Sequence, residues 1–382
     1  MRAISLFKTV RYVQINKDNL IKARELCGYS ADELDQKICN KSGRYLKWES
    51  GEALPTWNQL NQLSFILYQP IDLFLSSSMP PDNKVIPQFR KIYMENYKSE
   101  LTPEINIEIR KALDRREIYI SLKQELEDEI HSFTSYYSPS KSTSHEGFIK
   151  QLLGFSSDYP FGFSNDYKLL KKLIQILENK DILVFQTDKY GRNTIDVNKM
   201  RGFSIFFHEV PIIVINSSDA PSAKIFSLLH ELCHLTLKEN DISNSDINQE
   251  SYCNKITANL MMPKEIIENF IKSYPILTLN EIKAIAKKQL VSQSALIWRI
   301  FNLNFISPEQ KVDLYKALES SLKQLNPFGR QLSRSKRIIT DLGQLYVSTV
   351  FLAYYNDKID SSDLINIFHV GWDNIKQIEN QL

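Results

Sequence analysis

The stretch FSLLHELCHLTLKEN, residues 226–240, carries two histidines four residues apart, with a glutamate directly after the first. Leucines surround the histidines at positions 228, 229, 232 and 235, and this spacing predicts a largely buried helix. Positions i and i+4 lie about 40° apart around a helix axis, so His230 and His234 share one face and can bind one ion. Because burial of two histidines without a partner is costly, the pattern favours a metal site over an ordinary amphipathic helix.

Zn²⁺ is the predicted ion, because imidazole nitrogen suits its borderline character and its tetrahedral geometry. Glu231 faces a different sector of the helix, where its carboxylate suits a base acting on water better than a ligand. A catalytic zinc usually has three protein ligands, so two histidines leave one ligand to be identified. The downstream candidates for that ligand are Glu239, Asp241, Asp246, Glu250 and Cys253.

Glu250 is the favoured third ligand, since it begins a second predicted helix, 247–263, whose apolar residues can pack across the first. Its carboxylate would keep the metal more electrophilic than a thiolate. The other carboxylates either follow the histidines too closely or lie in a polar loop. Cys253, almost one turn beyond Glu250, stays a rival that would give a His-His-Cys site, whereas Cys233 is expected to point away from the histidines and to be packed.

The composition excludes several classes of protein. Apolar residues make up 43% and charged residues 24% of the 382 positions, as in an ordinary soluble protein, and this length predicts two or three domains. No apolar run is long enough to span a bilayer and the N-terminus lacks a signal peptide, so we expect a cytoplasmic protein without membrane contact. Four cysteines form no dense disulfide framework, and a net charge of +2 means that any nucleic-acid-binding face is local.

Hydrophobic periodicity predicts a mainly α chain with a small β-sheet. The predicted strands are 181–188, 202–209 and 210–217, and the helix that carries the histidines is expected to begin near Pro221. A long charged helix is predicted within 100–133. The expected domains are a bundle of short helices at 14–80, a linker and long helix at 81–147, an α+β region at 148–272 and a C-terminal helical domain at 273–382.

The segment PIIVINSSDAPSAKIFSLLHELCHLTL, followed by QESYCNKITANLMMP, resembles the ImmA/IrrE family of zinc metallopeptidases. The family pattern is a strand ending in Asn, a helix with HExxH and a helix with Glu-x-x-x-Asn-x-x-x-Ala-x-x-(Leu/Met)-Met-Pro. Cys233 replaces the usual glycine of the family, and Lys224 stands where arginine is frequent. The pattern matches this sequence at Asn216, His230, Glu231, His234, Glu250, Asn254, Ala258, Met262 and Pro263.

The resemblance implies a zincin-like α+β metallopeptidase domain in the 148–272 region. His230, His234 and Glu250 would hold Zn²⁺, and Glu231 would be the catalytic base. An oxyanion also needs a donor besides the metal. His208 and Tyr252 are candidates for that donor only because they are close in sequence.

The segment GYSADELDQKICNKSGRYLKWESGEALPTWNQLNQL resembles the XRE-type helix-turn-helix family. The resemblance implies that 14–80 is a DNA-binding domain whose recognition helix, from about Lys41 to Trp48, lies in the major groove. Tyr45 and Trp48 are expected in the core, and a bundle of this kind can also mediate dimerisation or bind a protein. Asp35 and Gly43 depart from the family pattern. The residues expected to contact bases or phosphates are Lys41, Ser42, Arg44 and Lys47.

The two resemblances together imply a DNA-binding regulator with a zinc-dependent endopeptidase. Its substrate would be a protein partner from the same operon, a repressor or a toxin–antitoxin component, in a stress response or in phage defence. The DNA partner would be an operator, such as the chain's own promoter, bound by a homodimer because helix-turn-helix readers usually match two half-sites. The alternative is a non-catalytic transcriptional regulator or antitoxin whose zinc domain binds or senses a partner. Glu231 favours the enzyme, since a structural zinc site needs no glutamate there and usually has four protein ligands.

Overall fold

The computed structural model describes residues 12–40, 42–77, 93–94, 97–98, 102–133, 143–155, 163–188, 194–237, 247–274, 277–322 and 333–382. Within these ranges the chain is mainly α-helical with a small β-sheet, which confirms the predicted fold class. Among the described residues, none of the helices has the length and apolar character of a membrane-spanning segment. The residues fall into two compact units, one within 1–91, 99–113 and 190–194 and the other within 92–98, 114–189 and 195–382.

Short helices with well-defined caps build the first unit. Ser30 and Glu33 form the predicted capping box, in which the Ser30 amide donates to Glu33 Oε2 at 2.7 Å and the Glu33 amide donates to Ser30 Oγ at 3.3 Å. Thr56 and Gln59 form a second capping box. The helices are α1 (Lys17–Cys27), α2 (Ala31–Cys39), α3 (Arg44–Ser50), α4 (Trp57–Leu67) and α5 (Ile71–Leu75).

The turn between α2 and α3 depends on Asp35. This buried carboxylate accepts hydrogen bonds from the Gly43 amide at 2.8 Å and the Tyr45 amide at 2.9 Å, and it thereby caps α3 from the preceding helix. Gly43 has a φ of 70°, in the left-handed region that favours glycine. Tyr45 and Trp48 are buried, as predicted. Both departures from the XRE-type pattern therefore stabilise the turn that leads into α3.

A three-stranded mixed sheet organises the second unit. Its strands are β3 (Leu183–Gln186), β4 (Gly202–Ile205) and β5 (Ile212–Ile215), and a separate antiparallel pair joins β1 (Tyr93–Met94) to β2 (Tyr97–Lys98). β5 is central, parallel to β3 and antiparallel to β4, with Gly202 opposite Ile215. β3 and β5 are buried along their whole length, which explains why both are apolar apart from Gln186.

The strands are shorter than the sequence predicts, and the backbone turns at the start of the first and third predicted runs. Asp181, with a φ of 55°, precedes β3, and Val210, with a φ of 52°, lies in the connection between β4 and β5. The long helix is also shorter than predicted, since Glu127 has a φ of 55° just after its end. Left-handed backbone at a non-glycine residue interrupts regular structure, and the sequence pattern gives no sign of it.

Helices surround this sheet and form the rest of the second unit. α6 has residues in both units, α9 packs against β4 and β5, and α15 packs against β3. The helices are α6 (Pro103–Glu125), α7 (His145–Leu153), α8 (Asp166–Glu178), α9 (Pro221–Thr236), α10 (Ile247–Met261), α11 (Lys264–Lys272), α12 (Leu279–Gln289), α13 (Gln293–Asn302), α14 (Pro308–Leu322), α15 (Arg334–Leu342), α16 (Gln344–Tyr355), α17 (Ser361–Phe368) and α18 (Trp372–Glu379).

Candidate metal centre

Helix α9 presents His230 and His234 beside its buried face. Pro221 occupies the first turn of α9, where the amide hydrogen that proline lacks would have no hydrogen-bond partner within the helix. The leucines around the histidines are fully buried against the sheet and the neighbouring helices α8 and α10. The two histidine side chains keep 13% and 14% of their surface exposed, so their rings lie at the edge of the core.

Glu250, from α10, meets both histidines at one point. The Nε2 atoms of His230 and His234 are 3.0 Å apart, and each lies 3.1 Å from a different carboxylate oxygen of Glu250. Among the described residues, these three form the one group of three or more His, Cys, Asp or Glu side chains that could hold a metal ion. Atoms bound tetrahedrally to zinc at about 2.1 Å lie about 3.4 Å apart, which is close to this spacing.

The chemistry of the three side chains fits a zinc ion. Two imidazole nitrogens and a carboxylate are the ligands of catalytic zinc sites that keep a position open. Burial opposes ionisation of Glu250, but hydrogen bonds and charge from the two histidines outweigh burial and lower its pKa to about 2. Glu250 is therefore ionised at neutral pH, as a metal ligand must be.

The structure places the rival ligand Cys253 elsewhere. Its Sγ lies 3.8 Å from Nδ1 of His234, on the opposite edge of the ring from the Nε2 that meets Glu250. A hydrogen bond with Cys233 and burial both raise the pKa of the Cys253 thiol far above its ordinary value. Cys233 is fully buried, as predicted. The other candidates, Glu239, Asp241 and Asp246, lie outside the described residues.

Glu231 contacts strand β4. Its Oε2 accepts a hydrogen bond of 2.9 Å from Ser204 Oγ. A Cβ at Gly202 would lie 3.3 Å from Glu231 Cγ and 3.0 Å from the Val214 carbonyl oxygen, so only glycine leaves this space free. Two residues that sequence reasoning missed, Gly202 and Ser204, thus determine where the carboxylate lies.

The two suggested oxyanion donors have other contacts. His208 is exposed and packs edge-on against Phe206 with ring centroids 5.4 Å apart. The Tyr252 hydroxyl lies 3.2 Å from Nδ1 of His145, a residue that sequence reasoning did not identify. Neither contact indicates an oxyanion site.

Asn216, at the end of β5, has a structural role. Its side-chain amide donates to the carbonyl oxygens of Ile195 at 3.0 Å and Met200 at 2.8 Å, and its Oδ1 accepts from the Ser218 amide at 2.9 Å. These bonds fix the connection before β4 and the turn after β5. The turn leads directly into α9 and its histidines.

The proposed DNA-contacting residues lie at the start and on the outer side of α3. Ser42, Arg44 and Lys47 are all exposed, whereas Tyr45 and Trp48 face the core of the first unit. Lys41 lies outside the described residues.

Residues 178–297 match the family model of the IrrE N-terminal-like domain (Peptidase_M78). No curated protein matches the chain. The matched segment runs from the end of α8 into α13 and contains His230, Glu231, His234 and Glu250. This part of the chain is therefore similar to a metallopeptidase domain of the IrrE type.

Proposed function

We propose that the chain is a DNA-binding regulator with a zinc-dependent endopeptidase that cleaves a protein partner, a repressor or an antitoxin-like protein from its own operon. The observation that carries the proposal is the convergence of His230, His234 and Glu250 on one point. The match of residues 178–297 to the IrrE N-terminal-like domain supports the peptidase half of the proposal. The biological setting would be a stress response, a toxin–antitoxin system or phage defence in the cytoplasm.

The side chains of the site have distinct roles in this proposal. A bound Zn²⁺ would lower the pKa of a water molecule and polarise the carbonyl group of the peptide bond. His230, His234 and Glu250 would hold the ion. Glu231 would take a proton from water and pass it to the leaving amine. The Ser204 hydroxyl would hold one oxygen of Glu231 in place while the carboxylate exchanges that proton.

The DNA-binding half of the proposal is supported by the exposed side of α3. A short helix that presents Arg44 and Lys47, with Ser42 two residues before its start, is suited to contact bases and phosphates. Glu49 anchors α3 to α1, because its carboxylate accepts from Arg24 Nε at 2.7 Å. A homodimer would place two such helices on two half-sites of an operator, such as the chain's own promoter.

Comparison of the wild type with Glu231→Gln tests the peptidase. Both proteins would be incubated with the proteins encoded beside the chain's gene, and products would be identified by mass spectrometry. The variant should keep its zinc, since Glu231 is not among the converging ligands, and should lose cleavage by a factor of about 10² or more. The exposed Glu265→Gln is the matched control and should cleave normally.

Continued cleavage by Glu231→Gln would show that this residue is not the base. Zinc binding by the wild type without cleavage of any neighbour would instead favour a non-catalytic regulator whose zinc domain binds a partner.

A further inference from the structure

His145, the first residue of α7, lies buried in the second unit with 2% of its surface exposed. Both ring nitrogens have a partner. Nε2 lies 2.8 Å from Thr236 Oγ1, and Nδ1 lies 3.2 Å from the Tyr252 hydroxyl. The imidazole also stacks on the Tyr252 ring, with centroids 5.7 Å apart and planes 13° from parallel. His145 therefore contacts both α9 and α10.

The hydrogen bonds assign one tautomer to the neutral ring. Thr236 Oγ1 donates its one hydrogen to the carbonyl oxygen of Cys233 at 2.9 Å or of Leu232 at 3.0 Å. In its contact with His145 this oxygen can therefore only accept a hydrogen bond. Nε2 of His145 then carries the hydrogen, and Nδ1 accepts from the Tyr252 hydroxyl. The three side chains form a continuous polar connection between the two helices.

This connection runs beside the metal-ligand candidates. Thr236 is two residues beyond His234 on α9, and Tyr252 is two residues beyond Glu250 on α10. Residues two positions apart lie about 200° apart around a helix axis. Thr236 and Tyr252 therefore lie on the side of each helix opposite its metal-ligand candidate, and His145 contacts both helices on that side.

Two sulfur atoms lie in the same region. Cys233 Sγ is 3.9 Å from His145 Nδ1, and Cys253 Sγ is 3.8 Å from His234 Nδ1. A displacement of the His145 ring would therefore disturb the side chains that pack against His234.

We propose that His145 is a positioning residue for the metal centre. It sets the spacing between α9 and α10, and this spacing decides whether Glu250 can reach the ion that His230 and His234 hold. The inference rests on the proposed function, since it assumes that these three side chains bind zinc. Groups that hydrogen-bond directly to metal ligands change metal affinity by about 10–100-fold when they are removed. His145 acts through Thr236 and Tyr252, one contact further from the ligands, so its effect should lie at the lower end of that range.

Metal binding by the full chain tests this role without any substrate. The chain is stripped of metal, its zinc affinity is measured by competition with a coloured chelator, and the visible absorption of the cobalt-substituted protein reports the ligand geometry. His145→Ala should bind zinc about tenfold more weakly than the wild type and should shift the cobalt absorption bands. His145→Gln should restore most of the affinity, because its amide can donate to Thr236.

Two further variants separate positioning from general packing. Ile149→Ala removes a fully buried side chain from the same helix without removing a hydrogen bond to α9 or α10, and its zinc affinity should stay near that of the wild type. Tyr252→Phe keeps the ring and removes only the hydroxyl from a side chain that is 37% exposed, so it should fold and bind zinc about fivefold more weakly.

The outcomes distinguish this inference from the proposed function. Failure of the wild type to bind either metal overturns the proposed function and this inference with it. Metal binding by the wild type, with His145→Ala and Tyr252→Phe unchanged, overturns only the role of His145. Equal weakening in Ile149→Ala and His145→Ala also overturns that role, because it reports a loss of packing.

Discussion

At the scale of single residues, Gly202 shows how a strand determines the position of a functional carboxylate. Gly202 lies on β4 opposite Ile215, where any Cβ would press on both the Val214 carbonyl oxygen and the Glu231 side chain. Both neighbours are restrained, the first by the sheet and the second by its hydrogen bond to Ser204. The contact cannot be relieved without moving the strand or the carboxylate.

Gly202→Ala should therefore lower the free energy of unfolding by about 1–3 kcal/mol, the usual cost of overpacking a core. Urea denaturation at fixed pH measures this difference. Gly371→Ala is the control, since a Cβ there has no atom within 4 Å and the backbone φ is −70°. Because Gly371 is the N-cap of α18, this variant should lose no more than about 1 kcal/mol. Equal stability of the two variants would mean that Glu231 is not confined by β4 in the way the distances indicate.

At this scale the sequence predicts only those relations that depend on local spacing. His230, His234 and Glu231 lie within one helix, so their relation follows from helical periodicity alone. His145 could not be found in this way, because it is 91 residues from Thr236 and 107 residues from Tyr252 in the sequence. Its own surroundings, STSHEG, are polar and give no sign of burial.

At the scale of elements, a buried carboxylate joins α8 to α16. Glu178 ends α8, is 5% exposed and accepts hydrogen bonds from the Gln344 and Leu345 amides at the start of α16. Gly343 precedes them with a φ of 78°, and a Cβ there would lie 2.9 Å from the Val184 carbonyl oxygen. Burial raises the pKa of Glu178 from 4.5 to about 7, although the two amide hydrogen bonds favour the ionised form.

The raised pKa predicts a stability that falls with pH. The folded chain binds the proton more tightly than the unfolded chain, so the contribution of Glu178 is fully present below about pH 4.5 and is lost as pH rises through about 7. Glu178→Gln cannot ionise and should remove this part of the pH dependence. At about pH 8 the variant should exceed the wild type in unfolding free energy by up to about 3 kcal/mol.

Thermal denaturation at several pH values between about 5 and 8 measures this effect. The exposed Glu319→Gln is the control and should follow the wild type throughout. Parallel curves for the wild type and Glu178→Gln would contradict the assignment of a raised pKa to this contact.

Element types follow from the sequence more reliably than element ends. The segments LVFQ and IIVI become β3 and β5, and the helix predicted from Pro221 begins there. The ends depend on single backbone conformations, such as that of Asp181, which periodicity does not encode. The order β3-β5-β4, with parallel and antiparallel pairing, is also a tertiary property that no local pattern predicts.

At the scale of the whole molecule, we propose that one chain carries out both DNA recognition and proteolysis. The first unit presents Arg44 and Lys47 as exposed cations, and the second unit contains the candidate metal centre. Each activity can be tested separately, because the residues that carry it belong to different units.

The Arg44→Ala, Lys47→Ala double variant should bind a DNA fragment from the chain's own promoter at least about tenfold more weakly than the wild type. The loss follows from the two phosphate or base contacts removed. A gel shift at fixed salt measures the affinity, and zinc content should not change. Lys17→Ala with Lys22→Ala removes the same charge from exposed positions of α1. Equal affinities for the two double variants would contradict the assignment of α3 as the recognition helix.

Zinc content decides whether His230, His234 and Glu250 bind one ion. Elemental analysis of the purified wild type should find about one zinc per chain. Cys253→Ala should retain this zinc, whereas His234→Ala and Glu250→Ala should lose most of it. A wild type without a bound transition metal, or zinc that depends on Cys253 and not on Glu250, would contradict the account.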